Sequence, residues 1–86
     1  MKTIQVIFSG NVQGVGFRFF TREKAIFLNL KGNVQNLANS KVKAIFQGRK
    51  QDIEKVIVEL QQNFLINKIE VSEILEKELK DFRIIL

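Results

Sequence analysis

From Lys2 to Ser9 the chain alternates: Ile4, Val6 and Phe8 share one side, and Thr3, Gln5 and Ser9 the other. A period of two marks a strand with one face buried. The alternation stops at a glycine-rich stretch, Gly10 to Gly16, and a helical spacing replaces it. Between Arg18 and about Leu28, the residues Phe20, Thr21, Ala25 and Leu28 fall on one helical face. Phe19, Ile26 and Phe27 lie opposite and leave the amphipathic pattern imperfect. We expect one or two of these three to tuck under the C-terminal strand. Asn29 suits the left-handed cap that ends a helix.

The pattern then returns to strands, Gly32 to Leu37 and Lys41 to Gln47, with Leu37-Ala38-Asn39-Ser40 as the turn of a hairpin. Gly48 stops the second of these. A clearer helix follows from about Gln51 to Asn63, with the stripe Ile53, Val56, Ile57, Leu60 and Phe64. Asn67 to Leu75, with Ile69 and Val71 on one face, reads as a strand, and Phe82 to Leu86 as a short final one. The order β-α-β-β-α-β with an extra strand predicts an α+β, ferredoxin-like sandwich: one antiparallel sheet with both helices on one face. The whole of residues 1–86 reads as a single domain.

This order has a consequence for function. The first helix returns the chain to the starting end of the sheet, so the second strand runs parallel to the first through a right-handed crossover. About eleven helical residues and about five strand residues each span roughly 17 Å, so the lengths agree. The end of the second strand therefore reaches the edge that holds the glycine-rich turn. By parity Asn36 lies on the side of Val34, the face expected to pack against the helices. Arg18 and Asn36 should converge on one pocket.

Composition narrows the chemistry. There is no cysteine and no histidine, which removes thiolate nucleophiles, cysteine-based metal sites and the commonest general base at neutral pH. The net charge of +5 suits an anionic partner, small molecule or nucleic acid, and is also compatible with plain solubility. No segment is long and apolar enough to span a membrane, so the expectation is a cytoplasmic protein, monomeric by default.

The turn itself can bind an anion. Glycines at 10, 14 and 16 let the backbone curl so that several N–H groups point into one concavity at a helix N-terminus. Arg18 adds a permanent charge and a planar donor fork suited to phosphate oxygens. An arginine in the first turn opposes the helix dipole, which favours an anion site over a plain turn. The spacing is neither that of a P-loop nor that of the dinucleotide fingerprint.

Gly10-Asn11-Val12-Gln13-Gly14-Val15-Gly16-Phe17-Arg18 resembles the acylphosphatase signature G-x-V-Q-G-V-G-F-R, and Gly32-Asn33-Val34-Gln35-Asn36 is similar to that family's G-W-V-x-N. Ala25, Leu28 and Leu30 match the family's A-x-x-L-G-L, and Gly48, Phe82 and Ile84 also fit. The resemblance implies a ferredoxin-like fold and hydrolysis of the carboxyl-phosphate bond of a small acyl phosphate. It gives Arg18 the phosphoryl group, Asn36 the attacking water, and the loop residues Asn11, Val12, Gln13, Gly14, Val15 and Gly16 the cradle. It implies no metal and no organic cofactor. Three departures from the pattern carry no chemical role: Asn33 replaces an aromatic, which is either a surface change on an edge strand or a changed pocket rim or weaker core; Asn39-Ser40 replaces Asp-Gly; and Asn29 replaces a capping glycine.

Two other readings compete. An RNA recognition module shares this element order, but parity assigns Phe8 and Phe46 to the core. The basic residues Lys41, Lys43, Arg49 and Lys50 read instead as a solvated strand edge. A regulatory domain that binds phosphate without turnover would keep the same loop.

Overall fold

The computed structural model describes residues Met1–Leu86. Its elements are β1 (Lys2–Asn11), α1 (Phe17–Phe27), β2 (Lys31–Asn36), β3 (Val42–Gly48), α2 (Lys50–Asn63), β4 (Leu65–Glu73) and β5 (Phe82–Ile85), with a tight turn at Ala38–Ser40. The five strands form one sheet in the order β4-β1-β3-β2-β5. β1 and β2 are parallel to each other and separated by β3, which is antiparallel to both. This is the split βαβ arrangement with both helices packed on one face.

β5 adds beside β2 in parallel, so the sheet is mixed and not wholly antiparallel as the pattern predicted. A hairpin-like return was not available to this strand. The long connection from β4 crosses the sheet before β5 begins, so β5 enters in the same direction as β2.

Alternation holds where it matters for the core. Val6, Phe8, Val34, Val42, Ala44 and Phe46 are all fully buried. They meet Ala25 of α1 and Ile53, Val56 and Leu60 of α2 in one cluster. Phe17 joins it at the start of α1, edge-on to Phe8 and to Phe64 with ring centroids 5.0 Å apart in each case. Phe46 stacks on Phe82 at 5.8 Å. Phe8 and Phe46 are thus core residues and leave no aromatic platform on the open face.

α1 ends as Asn29 predicts. Asn29 has φ 58°; its N–H donates to Ile26 O at 3.0 Å and that of Leu30 to Ala25 O at 2.8 Å. These are the two bonds of a Schellman motif. α2 carries Asp52 in its first turn, where a carboxylate complements the dipole, and Arg49 Nε donates to Asp52 Oδ2 at 3.0 Å.

Several expectations fail for local reasons. β4 starts two residues before Asn67 because its pairing with β1 jumps from Ser9–Lys68 to Gly10–Ile66. Asn67 is the extra residue of a bulge, which puts Ile66 and Ile69 together against the core. Val71, opposite Val6, is 58% exposed because this edge strand extends past the helical layer. β3 is the central strand, so Lys41 and Lys43 do not guard an edge. Lys43 stands on the open face, and Lys41 Nζ lies 4.0 Å from Glu70 Oε2. Nor is Asn33 on an edge, since β5 covers β2. Finally, Phe19, Ile26 and Phe27 are all more than half exposed: none tucks under β5, because Thr21 and Ala25 already fill the buried face of α1.

Candidate active site

The cradle is shorter than the glycine pattern suggests. Gly10 and Asn11 belong to β1, paired with Ile66 and Leu65 of β4. The chain leaves the sheet at Val12, whose side chain is buried in the core. From there to Gly16 the backbone turns into α1. None of the five N–H groups from Val12 to Gly16 donates to a backbone carbonyl or to a side chain. The first helical bond at this end is Phe20 N–H to Gly16 O, 3.0 Å. A run of unpaired amides at a helix N-terminus is an anion-binding arrangement.

Gly14 and Gly16 shape this run. Their φ angles are 73° and 82°, and an added Cβ would meet nothing within 4 Å at either. Space does not demand glycine here; the left-handed backbone does. The absence of side chains also leaves the concave side open. Gly16 is the N-cap of α1, and no side chain caps the helix in its place.

Arg18 is the second residue of α1 and half-buried. The other three arginines each engage a carboxylate: Arg22 with Glu23, Arg49 with Asp52 and Arg83 with Asp81, at 3.0–3.1 Å. Arg18 pairs with none. A half-buried guanidinium beside unpaired amides, with no acid in the first turn, makes a local excess of positive charge that no carboxylate of the protein offsets.

A cleft of about 260 Å³ opens here, lined by Val12, Gly14, Gly16, Phe17, Arg18 and Phe19, with Ile84 and Leu86 as its far wall. Asn11, Gln13, Val15 and Asn36 are not among its lining residues. Asn36 nonetheless ends β2 at the same edge. It pairs with Val42, which pairs in turn with Phe8 of β1, so these three residues form one row across the sheet, three residues short of the end of β1. The β2–β5 register sets Val34 beside Ile84 and Gln35 beside Ile85, the last pair before Asn36, and Ile84 lines the cleft. Its side chain is exposed and makes no hydrogen bond within the protein. Gln13 uses its side chain elsewhere: Nε2 donates to Leu37 O at 2.9 Å and to Lys41 O at 2.8 Å. The sequence pattern missed this contact. No group of three or more acidic, His or Cys side chains gathers to hold a metal ion, and no helix is long and apolar enough to cross a membrane.

Comparison with known proteins agrees with the geometry. The sequence model of the acylphosphatase family matches residues 4–84. A relative described as an acylphosphatase, from Methanocella arvoryzae, is 37% identical over 78 residues, covering 91% of this chain and 89% of its own. The crystal structure of acylphosphatase from Bacillus subtilis superposes with a TM-score of 0.91 over all of both chains at 28% identity. A solved structure of an acylphosphatase from Coxiella burnetii gives a TM-score of 0.88 at 32% identity, covering 96% of this chain and 90% of the other. With a family match over nearly its whole length and the same overall fold, this chain belongs to the acylphosphatase family of enzymes.

Proposed function

We propose that the protein hydrolyses the carboxyl-phosphate bond of small acyl phosphates, with Arg18 and the 12–16 amides holding the phosphoryl group and Asn36 orienting water. The observation that carries this reading is the unpaired Arg18 beside five unpaired amides. Three phosphoryl oxygens need several donors arranged in a concavity, and these are the donors free to serve them.

Water attacks phosphorus in line with the leaving group, the P–O bond to the acyl oxygen breaks, and a carboxylate departs. A carboxylate is a weak base and leaves without help from a general acid. Positioning and charge stabilisation then carry the rate. The water gives up one proton. With no His or Cys in the chain, we assign that proton to a phosphate oxygen of the substrate. Asn36 supports the attack because its carboxamide both donates and accepts and is committed to no other partner. Val15 serves through the loop backbone, and Asn11, paired with Leu65 in β1, anchors the start of the loop. The reading treats residues 1–86 as one catalytic unit, monomeric and cytoplasmic; the single continuous core supports the first part.

The test is release of inorganic phosphate from an aryl acyl phosphate by the purified protein, run beside a titration with single-stranded RNA. Turnover is expected. RNA binding that weakens with salt, in the absence of turnover, would instead favour the nucleic-acid reading.

A further inference from the structure

Gln13 lies inside the anion loop, yet its side chain turns away from the cleft. Its Nε2 serves two carbonyls at once, Leu37 O at 2.9 Å and Lys41 O at 2.8 Å, as the two N–H donors of a primary amide allow. Those carbonyls belong to the two residues on the turn side of the last cross-strand pair of the β2–β3 hairpin, Asn36 opposite Val42. Leu37 N–H donates to the same Lys41 oxygen at 2.8 Å. One amide therefore closes the mouth of the hairpin and ties it to the loop. The hairpin needs a clamp. Its turn holds Asn39 at φ 67° and Ser40 at φ 65°, left-handed conformations disfavoured for residues with a Cβ. A strained turn frays first where the strands meet it, and Asn36 is the last residue of β2.

We infer that Gln13 is a positioning residue: its amide fixes the Asn36 carboxamide relative to the phosphate cradle, so that loop and hairpin move as one unit. The inference rests on the hydrolytic reading above. The Gln13 side chain acts on neither phosphate nor water directly but through the backbone of Leu37 and Lys41, on the turn side of the Asn36–Val42 pair. Removing its donors leaves Arg18 and the loop amides in place but frees Asn36 to drift. The loss falls on the rate and spares phosphate binding.

Two variants test this. Gln13→Met keeps length and shape without donors, and Gln13→Glu sets carboxylate oxygens against two carbonyl oxygens. For both, kcat on an aryl acyl phosphate should fall ~10–100-fold while the Kd for inorganic phosphate stays within about threefold of the parent value. Adding Ser40→Gly to Gln13→Met relieves turn strain and should raise Tm without restoring kcat. In 15N-labelled parent protein, inorganic phosphate should shift the side-chain amide signals of Asn36 along with those of the loop; in Gln13→Met the Asn36 response should vanish. A folded Gln13→Met variant with parental kcat, or a kcat that recovers with Tm, overturns the inference. If the parent protein binds phosphate but releases none from an acyl phosphate, the hydrolytic reading fails by itself. The NMR arm then decides whether loop and hairpin are linked, and an Asn36 response that survives Gln13→Met overturns the link.

Discussion

Single residues in this chain separate cleanly into those committed to the protein and those left free. Thr21 Oγ1 bonds Phe17 O at 2.8 Å, Gln13 bonds two carbonyls, and three arginines bond carboxylates. Arg18 and Asn36 bond nothing, and both lie at one end of the sheet. The element order made their shared end of the sheet legible, but the expected single pocket is not what the structure shows: Arg18 lines the cleft and Asn36 does not. The Gln13 clamp was not legible, since its acceptors are backbone carbonyls 24 and 28 residues away and every residue has a carbonyl. The turn offers a test at this scale. Ser40 pays for its left-handed backbone with no side-chain bond in return. Ser40→Gly should stabilise the protein by ~0.5–1 kcal/mol, raising Tm by roughly 2–8 °C in a thermal melt.

At the level of elements, the helices and the central strands follow their periodicity because each has one buried face. β4 does not, because a bulge at Asn67 shifts its parity and a bulge leaves no periodic signature. β5 was recognisable as a strand, but four residues carry no information about which neighbour they join or in which direction. The 74–81 connection decides that, and Gln47 holds the connection. Fully buried on β3, Gln47 donates from Nε2 to Thr3 Oγ1 at 3.0 Å and Lys77 O at 2.9 Å, and Oε1 accepts from Leu79 N–H at 2.7 Å. Gln47→Met removes all three bonds and leaves Thr3, Lys77 and Leu79 without these partners. We expect a loss of ~2–3 kcal/mol, read by denaturant unfolding, with faster hydrogen exchange at Leu79. Because β5 supplies the far wall of the cleft, the same variant should loosen that wall.

Across the whole molecule, function follows from topology. The crossover through α1 returns the chain so that β1 and β2 end at one edge, and β3 between them keeps the ends one strand apart. The loop leaves from one end and Asn36 stands at the other. The +5 charge adds a general attraction for anions but does not say where they bind; the proposed function puts them at the unpaired Arg18. Of the apolar residues on the outer face of α1, Phe19 lines the cleft, and Ile26 and Phe27 do not. Phe27 is 83% exposed and outside the core, so Phe27→Ser should change unfolding free energy by no more than ~0.5 kcal/mol. A larger loss in a denaturant titration would mean that the residue packs more tightly than its exposure indicates.

The division of labour between cradle and water is the central claim, and one paired measurement tests it most directly. Turnover of an aryl acyl phosphate and binding of inorganic phosphate are measured side by side for the parent protein, Arg18→Ala and Asn36→Ala. Arg18→Ala should lose both, with turnover down by ~10²–10³-fold or more, because the charge that holds phosphate also stabilises the transition state. Asn36→Ala should lose turnover by ~10²-fold or more while still binding phosphate, because only the water has lost its guide. Near-parental hydrolysis in either variant, or loss of phosphate binding in Asn36→Ala alone, would contradict the account.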